Sequence, residues 1–169
     1  MSPKSASSFG RARPHAKSAA KAEPPAVVKV AAVQLASGPS VAANLNEARR
    51  LIAMAAKQGA KLVALSEYFA IMGMHETDKV KVREAEGSGP IQQFLADTAK
   101  KHKIWLVGGS VPLVSSDPSR VRNSSLVYDD KGKLVARYDK IHLFGFEMGK
   151  EQYSEQRTIE PGGEIKVVE

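Results

Sequence analysis

The sequence predicts an α/β fold with a mixed sheet, and three patterns lead to this prediction. Short, β-branched apolar runs alternate with segments whose apolar residues recur every three or four positions, which is typical of parallel strands joined by helices. Two later extended runs are separated by a short polar turn, which indicates an antiparallel hairpin. The chain has 169 residues, the length of one domain.

The first strand–helix–strand unit covers residues 27–65. Residues 27–35 (VVKVAAVQL) are almost wholly apolar, which predicts a strand buried on both faces. Residues 41–58 carry a helical apolar stripe, and Gly59 follows where a carboxy-terminal helix cap is expected. Residues 60–65 (AKLVAL) read as a second buried strand. At this spacing the two strands should be parallel neighbours.

A second helix and a third strand follow a long connection. Residues 66–86 are irregular, and loops of this length inside a compact domain are often functional. Pro90 suits the first turn of a helix running to about His102. The residues expected to face the core from this helix are Ile91, Phe94, Leu95 and Thr98. Residues 104–111 (IWLVGGSV) predict a third buried strand.

The last third of the chain predicts a hairpin and one more strand. Residues 123–128 and 134–138 are extended runs joined by a polar turn ending in Gly132. A polar stretch reaches Gly163, and residues 164–169 (EIKVVE) begin an apolar strand. Two interpretations of that strand stay open: its partners lie outside this chain, or it pairs with an internal edge.

Composition excludes several kinds of site. The chain has no cysteine, which excludes disulfides, cysteine-ligated zinc and thiol chemistry supplied by its own residues. Its four histidines are scattered, so we expect no metal site and no cofactor. No apolar run approaches the roughly 18 residues that span a bilayer, and no secretory signal is apparent. A soluble, cytoplasmic protein that binds neither membranes nor nucleic acid is therefore expected.

The net charge of +7 is concentrated near the amino terminus. Residues 1–26 contain five basic residues and one acidic residue, without aromatic residues at regular spacing between them. We expect this segment to be a basic, disordered tail that ends at Pro24-Pro25, with one domain over residues 27–169. Its Arg-, Ser- and Ala-rich composition is also compatible with a targeting leader or an anion-binding extension.

Four stretches together resemble the nitrilase superfamily of carbon–nitrogen hydrolases. They are VKVAAVQLASGPSVAANLNEA, LVALSEYFAIMG, NSSLVYDDKGKLVARYDKIHLFGF and YSEQRTIEPGGEIKVVE. The likeness is nearest to the general amidase and omega-amidase branch. It implies the amino-terminal half of an α-β-β-α sandwich, a small amide or nitrile substrate, and assembly into a homo-oligomer or with a complementing carboxy-terminal fragment.

The resemblance also implies the candidate catalytic residues. In that family a cysteine forms the acyl-enzyme, a glutamate acts as the base and a lysine stabilises the oxyanion. The glutamate corresponds to Glu67, at the end of the second strand, and the lysine to Lys140, at the end of the hairpin. The ordinary alternatives are a surface glutamate that starts a loop and a lysine that extends from a strand end into solvent.

Two further residues have less specific signals. Glu155 corresponds to a second glutamate near the family's substrate pocket, but it stands in a glutamate-rich polar loop that could simply be solvated. His142 belongs to the lysine motif, and we expect it to pack beside the site without acting as a base.

The departures from the family pattern limit the activity expected of this chain. Ser66 replaces the usual proline, and no cysteine is present. Ser66 should point away from Glu67 because neighbouring residues of an extended segment face opposite sides, and nothing favours Ser154 as a substitute nucleophile. We therefore expect a chain truncated before the catalytic cysteine and inactive alone.

Two other functions would use parts of the same sequence. A non-catalytic binding or interaction module would keep the Glu67–Lys140 pocket for a ligand, or use its sheet to join a full-length relative. A nucleotide-binding domain would rest on Gly87-Ser88-Gly89 before a helix, but the third glycine is missing and no strand precedes the motif. The nucleotide-binding interpretation is therefore set aside.

Overall fold

The computed structural model describes residues 27–149 and 151–168. Within this part the α-helices are α1 (Val41–Lys57), α2 (Asp78–Lys81) and α3 (Pro90–His102), and a 3-10 turn spans Glu155–Arg157. The strands are β1 (Val30–Val33), β2 (Leu62–Leu65), β3 (Trp105–Val107), β4 (Val111–Val114), β5 (Val121–Tyr128), β6 (Leu134–Asp139), β7 (Gly145–Met148) and β8 (Glu151–Ser154). No helix in the described ranges is long and apolar enough to cross a membrane.

The main sheet is mixed, as the sequence predicts. Strands β1, β2 and β3 are parallel neighbours, and the βαβ unit through α1 is confirmed. Strands β3 and β4 pair in succession with β5 in antiparallel register, and β6 pairs antiparallel with β5. The predicted hairpin is therefore confirmed, and it joins the parallel strands through β5.

Helices α1 and α3 pack against each other and on one face of this sheet. The predicted stripe of α3 is confirmed, since each of its four residues is buried. The α1 stripe is buried through Leu45, Ala48 and Ile52. Strand residues Val63 and Leu106 face these helices and are fully buried. This layer forms the core.

The amino terminus of α3 is capped by Glu84. Its Oε1 accepts a hydrogen bond from the Ile91 N–H at 2.6 Å, and its Oε2 accepts one from the Gln92 N–H at 3.1 Å. These N–H groups lack partners within the helix, so a carboxylate supplied by the preceding segment satisfies them. The connection before α3 is thereby fixed to the helix.

The opposite face of the sheet is apolar and partly open. Side chains alternate along a strand, so the register places one residue set away from the helices. This open face comprises Val30, Ala32, Leu62, Ala64, Trp105, Val107 and Val127. Val30 is 64% exposed, Ala32 is also exposed, and the other five are only partly buried.

Four predictions about the strands and loops are wrong. The first strand is not buried on both faces, because β1 is bordered only by β2 and half of it belongs to the open face. The third strand is interrupted at 108–110, where Gly109 has a φ of +50°. The irregular stretches contain α2 and the β7–β8 hairpin. Residues 164–168 form no strand, and Ile165 and Val167 are exposed.

The proposed division into a tail and a domain stays a prediction. Residues 1–26, which carry the concentrated basic charge, lie outside the described residues.

Candidate active site

Glu67 lies two residues after the end of β2, in a turn that requires an unusual backbone. Tyr68 has a φ of +56°, a left-handed conformation that is costly for a residue with a side chain. The Tyr68 N–H is held by the Ser110 hydroxyl at 2.8 Å. Gly109 lies so close to Ser66 that a Cβ there would overlap the Ser66 carbonyl oxygen. The break between β3 and β4 therefore makes room for the turn that presents Glu67.

Lys140 is fixed by its backbone on both sides. Its N–H donates to the Asn123 carbonyl at 2.9 Å, and its carbonyl accepts from the Gly162 N–H at 2.9 Å. From this anchored position Nζ reaches Glu67 Oε1 at 3.0 Å. The two residues that the sequence proposed as base and oxyanion donor, 73 positions apart, thus form an ion pair.

Asn123 completes the contacts of Glu67, and the sequence did not predict this residue as part of the site. This buried residue of β5 donates from Nδ2 to Glu67 Oε1 at 2.7 Å. Lys140 donates to the same oxygen, so Glu67 Oε2 has no hydrogen-bond donor among the described residues. One oxygen is therefore held and the other is available to take a proton. Nothing in the sequence distinguishes Asn123 from the polar residues beside it, Arg122, Ser124 and Ser125.

Glu155 is the buried member of the group, with a side chain only 4% exposed. Its carboxylate accepts from Lys140 Nζ at 2.9 Å, from the Tyr68 hydroxyl at 2.7 Å and from the Phe144 N–H at 2.7 Å. The solvated-loop alternative is wrong for Glu155, because a carboxylate at this depth needs such partners. It fixes Lys140 and joins the turn after β2 to the segment after β6.

The electrostatics keep this network charged. Burial works against the charge of Lys140, but its hydrogen bonds to Glu155 and Glu67 prevail and raise the pKa of Lys140. Burial likewise opposes the charge of Glu155, yet the bonds from Lys140, Phe144 and Tyr68 lower its pKa. Burial and the adjacent Glu155 raise the pKa of Tyr68, so its hydroxyl stays a donor.

Glu67 is the exposed member of the group, with 49% of its side-chain surface accessible. His142 is exposed, and no described side-chain hydrogen bond connects it to Glu67 or Lys140. Across 27–149 and 151–168, no group of three or more His, Asp or Glu residues could hold a metal ion.

Chemically, the Glu67–Lys140 pair offers a carboxylate with one free oxygen beside an ammonium with fixed position. This arrangement is suited to proton transfer and to binding a developing oxyanion.

Comparison with known proteins decides the family. Residues 29–169 match the carbon-nitrogen hydrolase family, which is nearly all of the described chain. This protein is a carbon–nitrogen hydrolase family member. The carbon–nitrogen hydrolase resemblance inferred from the four motifs is thereby confirmed, including its omega-amidase-like character.

The relatives span about twice the length of this chain. It is 37% identical to "Omega-amidase NIT2" of Danio rerio over 142 residues, covering 83% of this chain and 50% of that protein. It is 34% identical to "Nitrilase homolog 2" of Dictyostelium discoideum over 144 residues, covering 85% of this chain and 43% of that protein.

Solved structures of the superfamily share the fold. Nit3 of Saccharomyces cerevisiae, a member of branch 10 of the nitrilase superfamily, superposes with a TM-score of 0.68 at 33% identity, covering 81% of this chain and 49% of Nit3. The C. elegans NitFhit protein superposes with a TM-score of 0.71 at 26% identity, covering 82% of this chain and 35% of NitFhit. The predicted α/β class and partial nitrilase fold are confirmed.

Proposed function

We propose that this carbon–nitrogen hydrolase chain supplies the base and the oxyanion donor of an amide-hydrolysing site whose thiol comes from another polypeptide segment. The observation that carries the proposal is the 3.0 Å contact between Glu67 Oε1 and Lys140 Nζ, which leaves Glu67 Oε2 free. Amides and nitriles both belong to the substrate range that the family allows.

The proposed reaction has two steps. The thiol proton passes to Glu67 Oε2 while sulfur bonds to the amide carbon, and Lys140 stabilises the oxygen as it becomes negative. The C–N bond then breaks, and Glu67 returns the proton to the leaving ammonia. In the second step Glu67 takes a proton from water, which attacks the thioester; the carboxylic acid leaves and the thiol is restored.

Alone, this chain should have negligible activity. It contains no cysteine, and removal of the nucleophile from a comparable catalytic group costs about 10⁶-fold in turnover. Ser66 and Ser154 do not replace it in this proposal. Neither has a described side-chain hydrogen bond to Glu67 or Lys140 that would activate a hydroxyl.

The open face of the sheet is the proposed docking surface for the thiol-bearing segment. It is apolar over β1, β2, β3 and β5, including Trp105 and Val30. Two sheets that pack face to face bury such surfaces between them. The relatives have about as much chain again as this one, which is enough for a second layer. The proposed occupant is therefore a polypeptide corresponding to the carboxy-terminal half of a relative.

Complementation tests the proposal. The chain is co-expressed with the carboxy-terminal half of a relative that carries the family's cysteine, and ammonia release from propanamide is measured. The control is the same half with that cysteine replaced by alanine. We expect release only from the complex that contains the cysteine. Ammonia release by the isolated chain would contradict the proposal, as would an inactive complex that sedimentation shows to be fully assembled.

A second candidate is a non-catalytic binding or interaction module. The open apolar face favours it, because that surface can join a full-length relative or a second copy without any chemistry. A stable complex that binds amides but releases no ammonia would support this candidate over hydrolysis.

A further inference from the structure

One end of the main sheet gathers segments from distant parts of the chain. Strands β1, β2 and β3 begin level with one another, since Val30 pairs with Leu62 and Leu62 with Trp105. Strand β5 runs the other way, and its last residue, Tyr128, pairs with Leu106 near the start of β3. Short connections lead from α1 into β2 and from α3 into β3. The strand starts, the β5–β6 turn and the carboxy-terminal ends of both helices therefore lie together.

Eight exposed lysines occupy this end of the sheet, and together they are called the basic end. They stand just before the strands, in the last turns of both helices or directly after them, and in the β5–β6 turn: Lys29, Lys57, Lys61, Lys100, Lys101, Lys103, Lys131 and Lys133. The β5–β6 turn packs on α3, since a Cβ added at Gly132 would stand 3.1 Å from the Lys100 Cβ. The lysines of the turn and of the helix thus belong to one surface.

The charge of the basic end is not neutralised by nearby carboxylates. None of its eight ammonium groups has a described Asp or Glu oxygen within the 4.0 Å that defines an ion pair. Most other described cations have such a partner, namely Arg50, Lys81, Arg120, Arg122, Arg137, Lys140 and Lys166. The acidic residues described at this end are Asp129 and Asp130, and the Asp129 carboxylate accepts the backbone N–H groups of Lys131 and Lys133. The basic end therefore presents a positive field that attracts a polyanion.

The chemistry of the basic end fits an anionic bilayer better than a nucleic acid. All eight cations are lysines, whereas bidentate recognition of phosphate favours arginine. Stacking on bases needs aromatic side chains, but the exposed aromatic residues of the described chain, Phe144 and Phe146, lie in the segment beside the candidate site. Next to Lys29, the apolar residues Val27 and Val28 are 97% and 60% exposed. Apolar side chains among lysines are typical of a surface that enters the headgroup layer of a membrane.

We infer that the basic end docks the protein on an anionic phospholipid surface. A cluster of about 4–8 lysine or arginine residues is the size that binds such surfaces. No membrane partner is expected from the sequence, in which these lysines are scattered; the fold brings them together. Glu67 and Lys140 follow the opposite ends of β2 and β6, so the candidate site faces away from the bilayer. The inference does not depend on the proposed hydrolysis. The alternative is a solvated surface that binds no partner.

Sedimentation with lipid vesicles tests the inference on the full chain. The probes are phosphatidylcholine vesicles with about 30% phosphatidylserine and vesicles of phosphatidylcholine alone, in about 0.1 M salt, where charges act over about 10 Å. Each lysine near an anionic surface contributes roughly fivefold to binding. We expect a partition coefficient at least about 100-fold higher on the anionic vesicles, as for three lysines at the surface together, and its loss in about 1 M salt.

Paired substitutions separate the basic end from net charge. Lys61→Gln combined with Lys101→Gln should lower the partition coefficient on anionic vesicles about 25-fold, two factors of roughly five. Lys81→Gln combined with Arg157→Gln is the matched control, because it removes the same charge near the candidate site; it should change the coefficient less than about twofold. All four side chains belong to exposed residues, and circular dichroism verifies that both variants are folded.

Four outcomes would overturn the inference. Equal binding to the two kinds of vesicle would exclude charge recognition, and an equal loss in the control pair would assign the binding to net charge. Full binding by the variant with Lys61→Gln and Lys101→Gln would assign the attraction to residues 1–26, which carry five further basic residues. Binding to a DNA duplex of about 20 base pairs without binding to vesicles would make a nucleic acid the partner.

Discussion

Replacing Glu155 with glutamine tests whether its carboxylate holds the site together. Glutamine keeps the size of the side chain but turns one oxygen into an N–H₂ donor. In the wild-type chain both carboxylate oxygens of Glu155 face donors. Oε1 accepts from the Tyr68 hydroxyl and Oε2 from the Phe144 N–H, and Lys140 Nζ lies near both oxygens. The Tyr68 hydroxyl can rotate to accept, but the Lys140 ammonium and the Phe144 N–H cannot. At least one donor therefore faces another donor.

The magnitude follows from the burial of the pair. Breaking a buried ion pair costs about 3–5 kcal/mol. The cost should be smaller here because the Lys140 side chain is 23% exposed and keeps Glu67 as a partner. We expect Glu155→Gln to lower the free energy of unfolding by about 2–3 kcal/mol, which urea denaturation followed by circular dichroism will measure.

The matched control for Glu155→Gln is Glu147→Gln. Glu147 is exposed on β7 and has one described side-chain hydrogen bond, to Gln152 at 3.0 Å. This change should alter the unfolding free energy by less than about 0.5 kcal/mol. If Glu155→Gln is no more destabilising than Glu147→Gln, the carboxylate network does not stabilise the segment after β6.

Three further predictions concern the surrounding structure. Because the pKa of Glu155 is lowered in the folded chain, its charge stabilises the fold above the ordinary pKa of 4.5, and this stability is lost as pH falls through the folded pKa. From pH 5 to pH 3, the urea midpoint of the wild-type chain should therefore fall more steeply than that of Glu155→Gln. In urea denaturation, Gly109→Ala should destabilise the chain by at least about 1 kcal/mol more than Gly87→Ala. Both glycines have positive φ, but only at Gly109 would the added Cβ overlap backbone atoms, those of Ser66. Glu84→Gln should cost about 1–2 kcal/mol in thermal unfolding by removing an acceptor from the start of α3; equal stability to wild type would show that the cap is dispensable.

Periodicity and cap chemistry predicted the helices and the parallel strands well. The stripe of α3 and the position of Gly59 after α1 are local signals, and both correspond to the observed structure. Apolar content alone did not reveal which strands are covered on both faces. Strand β1 reads as buried, yet half of it belongs to the open face, because burial depends on what packs against the sheet.

The site was predictable only in part. Glu67 and Lys140 were identified by resemblance to family motifs, and the structure brings them together. Their contact depends on a turn at Tyr68 and on a gap at Gly109, which come from distant parts of the chain. The role of Asn123 required the three-dimensional arrangement, because its place in the hairpin motif does not by itself indicate a contact with Glu67.

The central claim is that Glu67 acts as the base for a thiol supplied from outside this chain. The direct measurement is the rate of ammonia release by the assembled complex with Glu67→Gln. It is compared with wild type and with the control Glu76→Gln, whose side chain has no described hydrogen bond to Glu67 or Lys140. General base catalysis contributes about 10²–10⁴-fold, so Glu67→Gln should reduce kcat by at least 100-fold while assembly, followed by sedimentation, is unchanged. A complex that retains more than a tenth of the wild-type kcat with Glu67→Gln would contradict the account.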